Sequence, residues 1–69
     1  NLSMLVKLRT IVGKEGEVNE KYGGYEIIVN NPDFFPWKDV FNLLVDASYE
    51  IWIKRQANRL TILSKPSVD

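Results

Sequence analysis

The groups able to do chemistry in this chain are carboxylates, lysines, arginines, tyrosines, serines and threonines, because it contains neither histidine nor cysteine. Imidazole acid–base catalysis, imidazole or thiolate metal ligation, thiol nucleophiles and disulfides are excluded with them. A carboxylate pair must share a small volume for one member to hold a proton while the other stays ionised. Asp39 and Asp46 lie seven positions apart on one readable segment, about two helical turns, too far to share a proton. Glu15, Glu17, Glu20 and Asp33 invite a calcium reading, but they lack the alternate oxygen ligands, central Gly and terminal Glu of an EF-hand loop. Gly13-Lys14-Glu15-Gly16 is not a phosphate loop, since no Gly-Lys-Ser/Thr follows at the required spacing. No catalytic residue, metal or cofactor is expected, and the chain reads as a non-enzymatic protein.

What remains is surface chemistry. Trp52 stands between Ile51 and Ile53, and Lys7, Arg9, Lys54, Arg59 and Lys65 recur at alternating positions of apolar segments. An indole beside guanidinium and ammonium groups can anchor a protein interface, or stack a base while the cations hold phosphates. Which of these is possible depends on the elements that carry the residues.

The chain has 69 residues, 45% hydrophobic and 26% charged, with nine basic and nine acidic side chains and no net charge. That suits one small soluble α+β domain over residues 1–69 with a thin core, completed by packing alone or by a second copy. Residues 1–3 ahead of Met4 read as vector-derived or disordered, and 65–69 as a frayed tail. No apolar run approaches the ~18 residues of a membrane span, and Lys7 and Arg9 break the N-terminal stretch too early for a signal peptide. A cytoplasmic protein without a membrane partner is the expectation.

Alternation predicts a strand over 4–12, a turn at Gly13–Gly16, and a loop or bulged polar strand end from Glu17 to Tyr22. A clear strand follows over 24–30. Asp33 reads as an N-cap for a helix near 34–47, with Pro36 in its first turn and Trp37, Val40, Phe41, Leu44 and Val45 on one stripe. Phe34 or Phe35 would staple the helix start. Period two returns over 49–54 and 59–64, joined through Arg55-Gln56-Ala57-Asn58. The expected fold is ββαββ, a four-stranded, largely antiparallel sheet with one amphipathic helix on one face. Placing the third strand beside the first gives the order 2-1-3-4. The expected core is Val6, Leu8, Ile27, Val29, Val40, Phe41, Leu44, Ile51, Ile53, Leu60 and Ile62, with Trp37 against it.

Keeping Lys54 and Arg59 out of the core puts Ile51 and Ile53 on the same face as Leu60 and Ile62. Pairing Ile53 with Leu60 and Ile51 with Ile62 then sets Trp52 opposite Thr61 and Lys54 opposite Arg59. The uncovered face would carry Leu5, Lys7, Arg9, Ile11, Glu26, Ile28, Asn30, Glu50, Trp52, Lys54, Arg59, Thr61, Leu63 and Lys65. Apolar and basic side chains mixed in this way differ from an ordinary solvated face. The favoured reading is a protein–protein surface, most simply a homodimer, through Lys7, Arg9, Ile28, Trp52, Lys54, Arg59 and Leu63. Single-stranded nucleic acid on the same face is the alternative, weakened by the absence of net positive charge. The bland alternative is a solvated face with Trp52 lying flat under Lys7 or Arg9 as a cation–π pair.

Overall fold

A computed structural model describes residues 3–68. Its order is α1 (Met4–Val12), β1 (Gly16–Lys21), β2 (Gly24–Val29), α2 (Trp37–Asp46), β3 (Tyr49–Gln56) and β4 (Arg59–Pro66), with a short 3-10 turn at Gly13–Glu15. The fold is α+β: one four-stranded antiparallel sheet and two helices.

The N-terminal segment is a helix, which corrects the expected strand over 4–12. Nine residues fit either period when Leu5, Leu8 and Val12 also fall on a helical stripe, and the flanking residues decide. Ser3 accepts a hydrogen bond from the Val6 amide through its hydroxyl at 3.2 Å, as an N-cap. Gly13, at φ +55°, turns the chain away and donates its amide to the Arg9 carbonyl. Ser3 is thus part of the fold, while residues 1, 2 and 69 lie outside the described residues. Leu8 and Val12 are buried; Val6, expected in the core, lies on the outward side.

β1 is the edge strand that the polar stretch 16–21 concealed, with Val18 its buried side chain. It meets β2 through a tight turn at Tyr22-Gly23, both at positive φ. β2 then lies close against β4, where a side chain at Gly24 would overlap the Ser64 carbonyl oxygen. α2 starts at Trp37, three residues later than expected. Pro36 disfavours helical backbone at Phe35 before it, and Asp33 sits in the preceding turn instead of capping. The Trp37 indole N–H bonds the Pro32 carbonyl at 2.9 Å. Phe35 is buried edge-on to Trp37, with ring centroids 4.7 Å apart, while Phe34 points to solvent.

The sheet order is β1-β2-β4-β3, not the order expected from pairing the third strand with the first. With the first segment helical, β2 pairs with β4, and β3 is left on the outside. The second hairpin turns tightly at Ala57-Asn58, so its register runs two residues beyond the expected one. Ile53 faces Ile62, Ile51 faces Ser64, Trp52 faces Leu63 and Lys54 faces Thr61. A shift of two keeps every side chain on its intended face. β4 continues to Pro66, and the Ser67 amide bonds the Ser48 carbonyl at 2.8 Å, so most of the supposed tail belongs to the sheet.

Both helices pack on one face. Leu8 and Val12 of α1 and Val40 and Leu44 of α2 meet Val18, Ile27, Val29, Ile62 and Phe35 in a single core. Phe41, Ile51, Leu60 and Trp37 flank it half-buried, but Ile53 is 53% exposed, because it lies at the open edge of β3. Among the described residues no helix is long and apolar enough to cross a membrane.

Candidate functional site

The face away from the helices is uncovered, and the register lays it out in rows across β1, β2, β4 and β3. One row reads Glu17, Ile28, Thr61, Lys54; the next reads Asn19, Glu26, Leu63, Trp52. Beyond them Lys21 lies on β1, and Lys65 stands opposite Glu50 on β4 and β3. Arg59 follows the same alternation at the hairpin end of β4. Ile28, Trp52, Lys54, Arg59 and Leu63 therefore share the face to which the sequence assigned them.

Lys7 and Arg9 do not. They lie on α1, on the other side of the sheet, together with Leu5 and Ile11. Arg9 has a different role: its Nε and Nη2 donate to the Val18 carbonyl at 3.2 and 3.0 Å. The expected cation–π cover of Trp52 by Lys7 or Arg9 is likewise absent. Lys65 takes that place, its Nζ 5.9 Å from the indole centroid, and Trp52 still keeps 44% of its surface exposed. Trp52, Leu63 and Ile28 form an apolar streak over the three strands β3, β4 and β2.

Electrostatically the face is mixed. Lys21 and Glu26 form an ion pair at 3.3 Å. Glu50 and Lys65 are cross-strand partners, and Glu17 balances Lys54 at the far ends of one row. Two of the five cations that would have held phosphates, Lys7 and Arg9, are gone from it.

Toward the Tyr22 turn the face deepens into an open groove of about 330 Å³, lined by Lys21, Tyr22, Tyr25, Trp52, Leu63, Ser64 and Lys65. Tyr22 is 81% exposed on its rim and has Lys21 Nζ 5.6 Å from its ring. In the sequence Tyr22-Gly23-Gly24-Tyr25 signals only a turn or bulge, since nothing local tells on which side of a hairpin its tip will lie. Tyr25 packs against Tyr49 with ring centroids 6.0 Å apart. Burial, then the neighbouring Tyr49, push the Tyr25 phenol above the usual tyrosine value.

For acid–base or metal chemistry the placements are scattered. Glu15 is in the 3-10 turn, Glu17 and Glu20 are on β1, and Asp33 precedes α2. Among the described residues no three carboxylates gather into a group that could hold a metal ion. No protein-family model matches the chain, and no curated protein or solved structure matches it.

Proposed function

We propose that this chain is a non-enzymatic interaction module that makes protein–protein contact through the open side of its sheet, most simply with a second copy of itself. The observation that carries this reading is the streak of Trp52, Leu63 and Ile28, left open on a face whose charges are of both signs. An indole half in water forfeits burial worth a kcal/mol or more, which a partner would recover. A half-exposed Trp continuous with apolar side chains and flanked by charges of both signs has the composition of an interface hot spot.

Single-stranded nucleic acid on the same face is less well supported. A phosphate-tracking groove needs an excess of cations, and here Lys21, Lys54, Arg59 and Lys65 are matched nearly one for one by Glu17, Glu26 and Glu50.

The test is the mass in solution by light scattering over a range of concentrations, for the parent and for Trp52→Ala. Self-association that Trp52→Ala weakens, with circular dichroism unchanged, is the expected result. Should oligonucleotide binding appear instead, falling steeply with salt and abolished by Lys54→Glu or Arg59→Glu, the nucleic-acid reading would replace it.

A further inference from the structure

We propose that β3 is the seam of a homodimer, on which a second copy adds its own β3 antiparallel, so that the two sheets become one. This rests on the self-association in the reading above and replaces its face-to-face contact by an edge: of the open streak only Trp52 lies on β3, and Leu63 and Ile28 stay outside the seam.

Three observations point to the edge. The first is that it is open and correctly phased. β3 is eight residues long and pairs on one side only, with β4. The Ser67-to-Ser48 bond beyond the end of the ladder sets its alternation, so even-numbered residues of β3 exchange hydrogen bonds with β4. Pro66, which has no N–H, sits opposite Tyr49 where none is needed. The N–H and C=O groups of Tyr49, Ile51, Ile53 and Arg55 consequently point outward along a free edge.

The second is the contrast with the other edge. β1 is shorter, and the Val18 carbonyl on its outer side is occupied by Arg9. Proteins blunt exposed edges with such contacts, with prolines or with bulges. β3 has neither proline nor bulge between Tyr49 and Gln56, and it leaves Ile53 more than half exposed.

The third is the sequence of the strand. Glu50-Ile51-Trp52-Ile53-Lys54 is symmetric about Trp52 with the charges inverted, and Tyr49 and Arg55 flank it. A twofold axis through Trp52 sets Trp52 beside its own copy and Ile51 opposite Ile53 twice. It also sets Glu50 opposite Lys54 twice and Tyr49 opposite Arg55 twice. The Ile51–Ile53 and Tyr49–Arg55 pairs use the outward backbone groups, as an antiparallel ladder requires. Opposite-charge and aromatic pairs directly across strands are the stabilising ones, and like charges there are not. A shift of two residues puts Glu50 opposite Gln56 or Trp52 and takes it away from Lys54, and a shift of four brings Lys54 or Glu50 opposite its own copy, so the pattern selects one register. Trp52 gains its cover at this seam, on the open face, beside the second copy's indole.

The experiment measures mass against concentration for the parent and four variants, with circular dichroism and melting curves to check each fold. Ile53→Pro removes an outward N–H and no bond to β4, and should give a monomer. Leu63→Lys puts a charge into the open streak one strand in from the seam, and it separates the two ways of joining: a face-to-face dimer is lost, whereas an edge-joined dimer still forms. Glu50→Lys and Lys54→Glu should each weaken dimerisation by roughly tenfold. Mixed in equal amounts these two should form a heterodimer, because every Glu50–Lys54 contact then regains opposite charges. A dimer that survives Ile53→Pro but is lost with Leu63→Lys would overturn the edge while leaving the open-face reading in place. A parent that stays monomeric at millimolar concentration overturns both. If Ile53→Pro fails to fold, the charge mixture decides, and the absence of a heterodimer refutes the seam.

Discussion

Arg9 reaches from α1 to the outer edge of β1, where its Nε and Nη2 both donate to the carbonyl of Val18, at 3.2 and 3.0 Å. The guanidinium does for this edge what a neighbouring strand would do, and ties the first helix to the sheet. Arg9→Ala should cost about 1–2 kcal/mol, toward the low end for hydrogen bonds from a charged donor because Arg9 is exposed to solvent. Arg9→Lys should recover only part of it, because an ammonium lacks the planar fork that makes both bonds at once. Urea denaturation of the three proteins measures both differences.

The core makes a sharper prediction. Leu44 is fully buried between α2 and the sheet, whereas Ile53 on the same face is 53% exposed. Leu44→Ala should cost about 2–5 kcal/mol, enough to unfold much of a domain this size, and Ile53→Ala well under half as much. Thermal melting at a low protein concentration, where association does not contribute, separates them. A Leu44→Ala variant melting within a degree or two of the parent would show that the helix stripe is not the core.

The helix stripe, the second hairpin and the side of the sheet on which Trp52 lies were all legible in the sequence. Each rests on a period that one element imposes on its own residues. The first segment misleads because Met4–Val12 satisfies both periods, and its caps pass for other things: Ser3 for part of a vector-derived or disordered end, Gly13 for the start of a turn. β1 was obscure because an edge strand on this sheet needs only Val18 to face the core. Strand order followed from these two errors, since a helix at the N-terminus leaves β2 to pair with β4. Read as a strand, the same segment places Lys7 and Arg9 on the open face; as a helix it carries them to the other side of the sheet. The register of the second hairpin differs by two from the expected one because nothing in Arg55-Gln56-Ala57-Asn58 shows that Ala57-Asn58 alone makes the turn. The groove at Tyr22 depends on β1, β2, β4 and β3 lying side by side, which no single segment encodes.

Ala57 carries the turn of that hairpin at φ +55°, a conformation in which a Cβ is unfavourable and glycine is not. Ala57→Gly relieves this and gives back part of the gain through the freer unfolded chain. The net expectation is a stabilisation of about 0.5 kcal/mol, read as a small rise in melting temperature, with the oligomeric state unaltered.

The turn of the first hairpin has a bulky residue where a small polar one would fit better. Tyr22 holds φ +54° before Gly23 at +79°, the pattern that Asn-Gly satisfies with least strain in a two-residue hairpin. An aromatic side chain there costs conformational energy and, at 81% exposure, recovers little of it by burial. Strain kept at an exposed position is a pointer to use, and Tyr22 stands on the rim of the groove that contains Trp52 and Lys65. Tyr22→Asn should therefore raise stability by about 0.5–1 kcal/mol. Should the groove receive part of a protein partner, the same substitution should weaken that contact while the fold becomes more stable. Melting curves give the first effect, and a titration of any partner captured through the open face gives the second. A Tyr22→Asn protein less stable than the parent would mean that Tyr22 is held by packing against Lys21, and that the turn carries no strain for the groove to use.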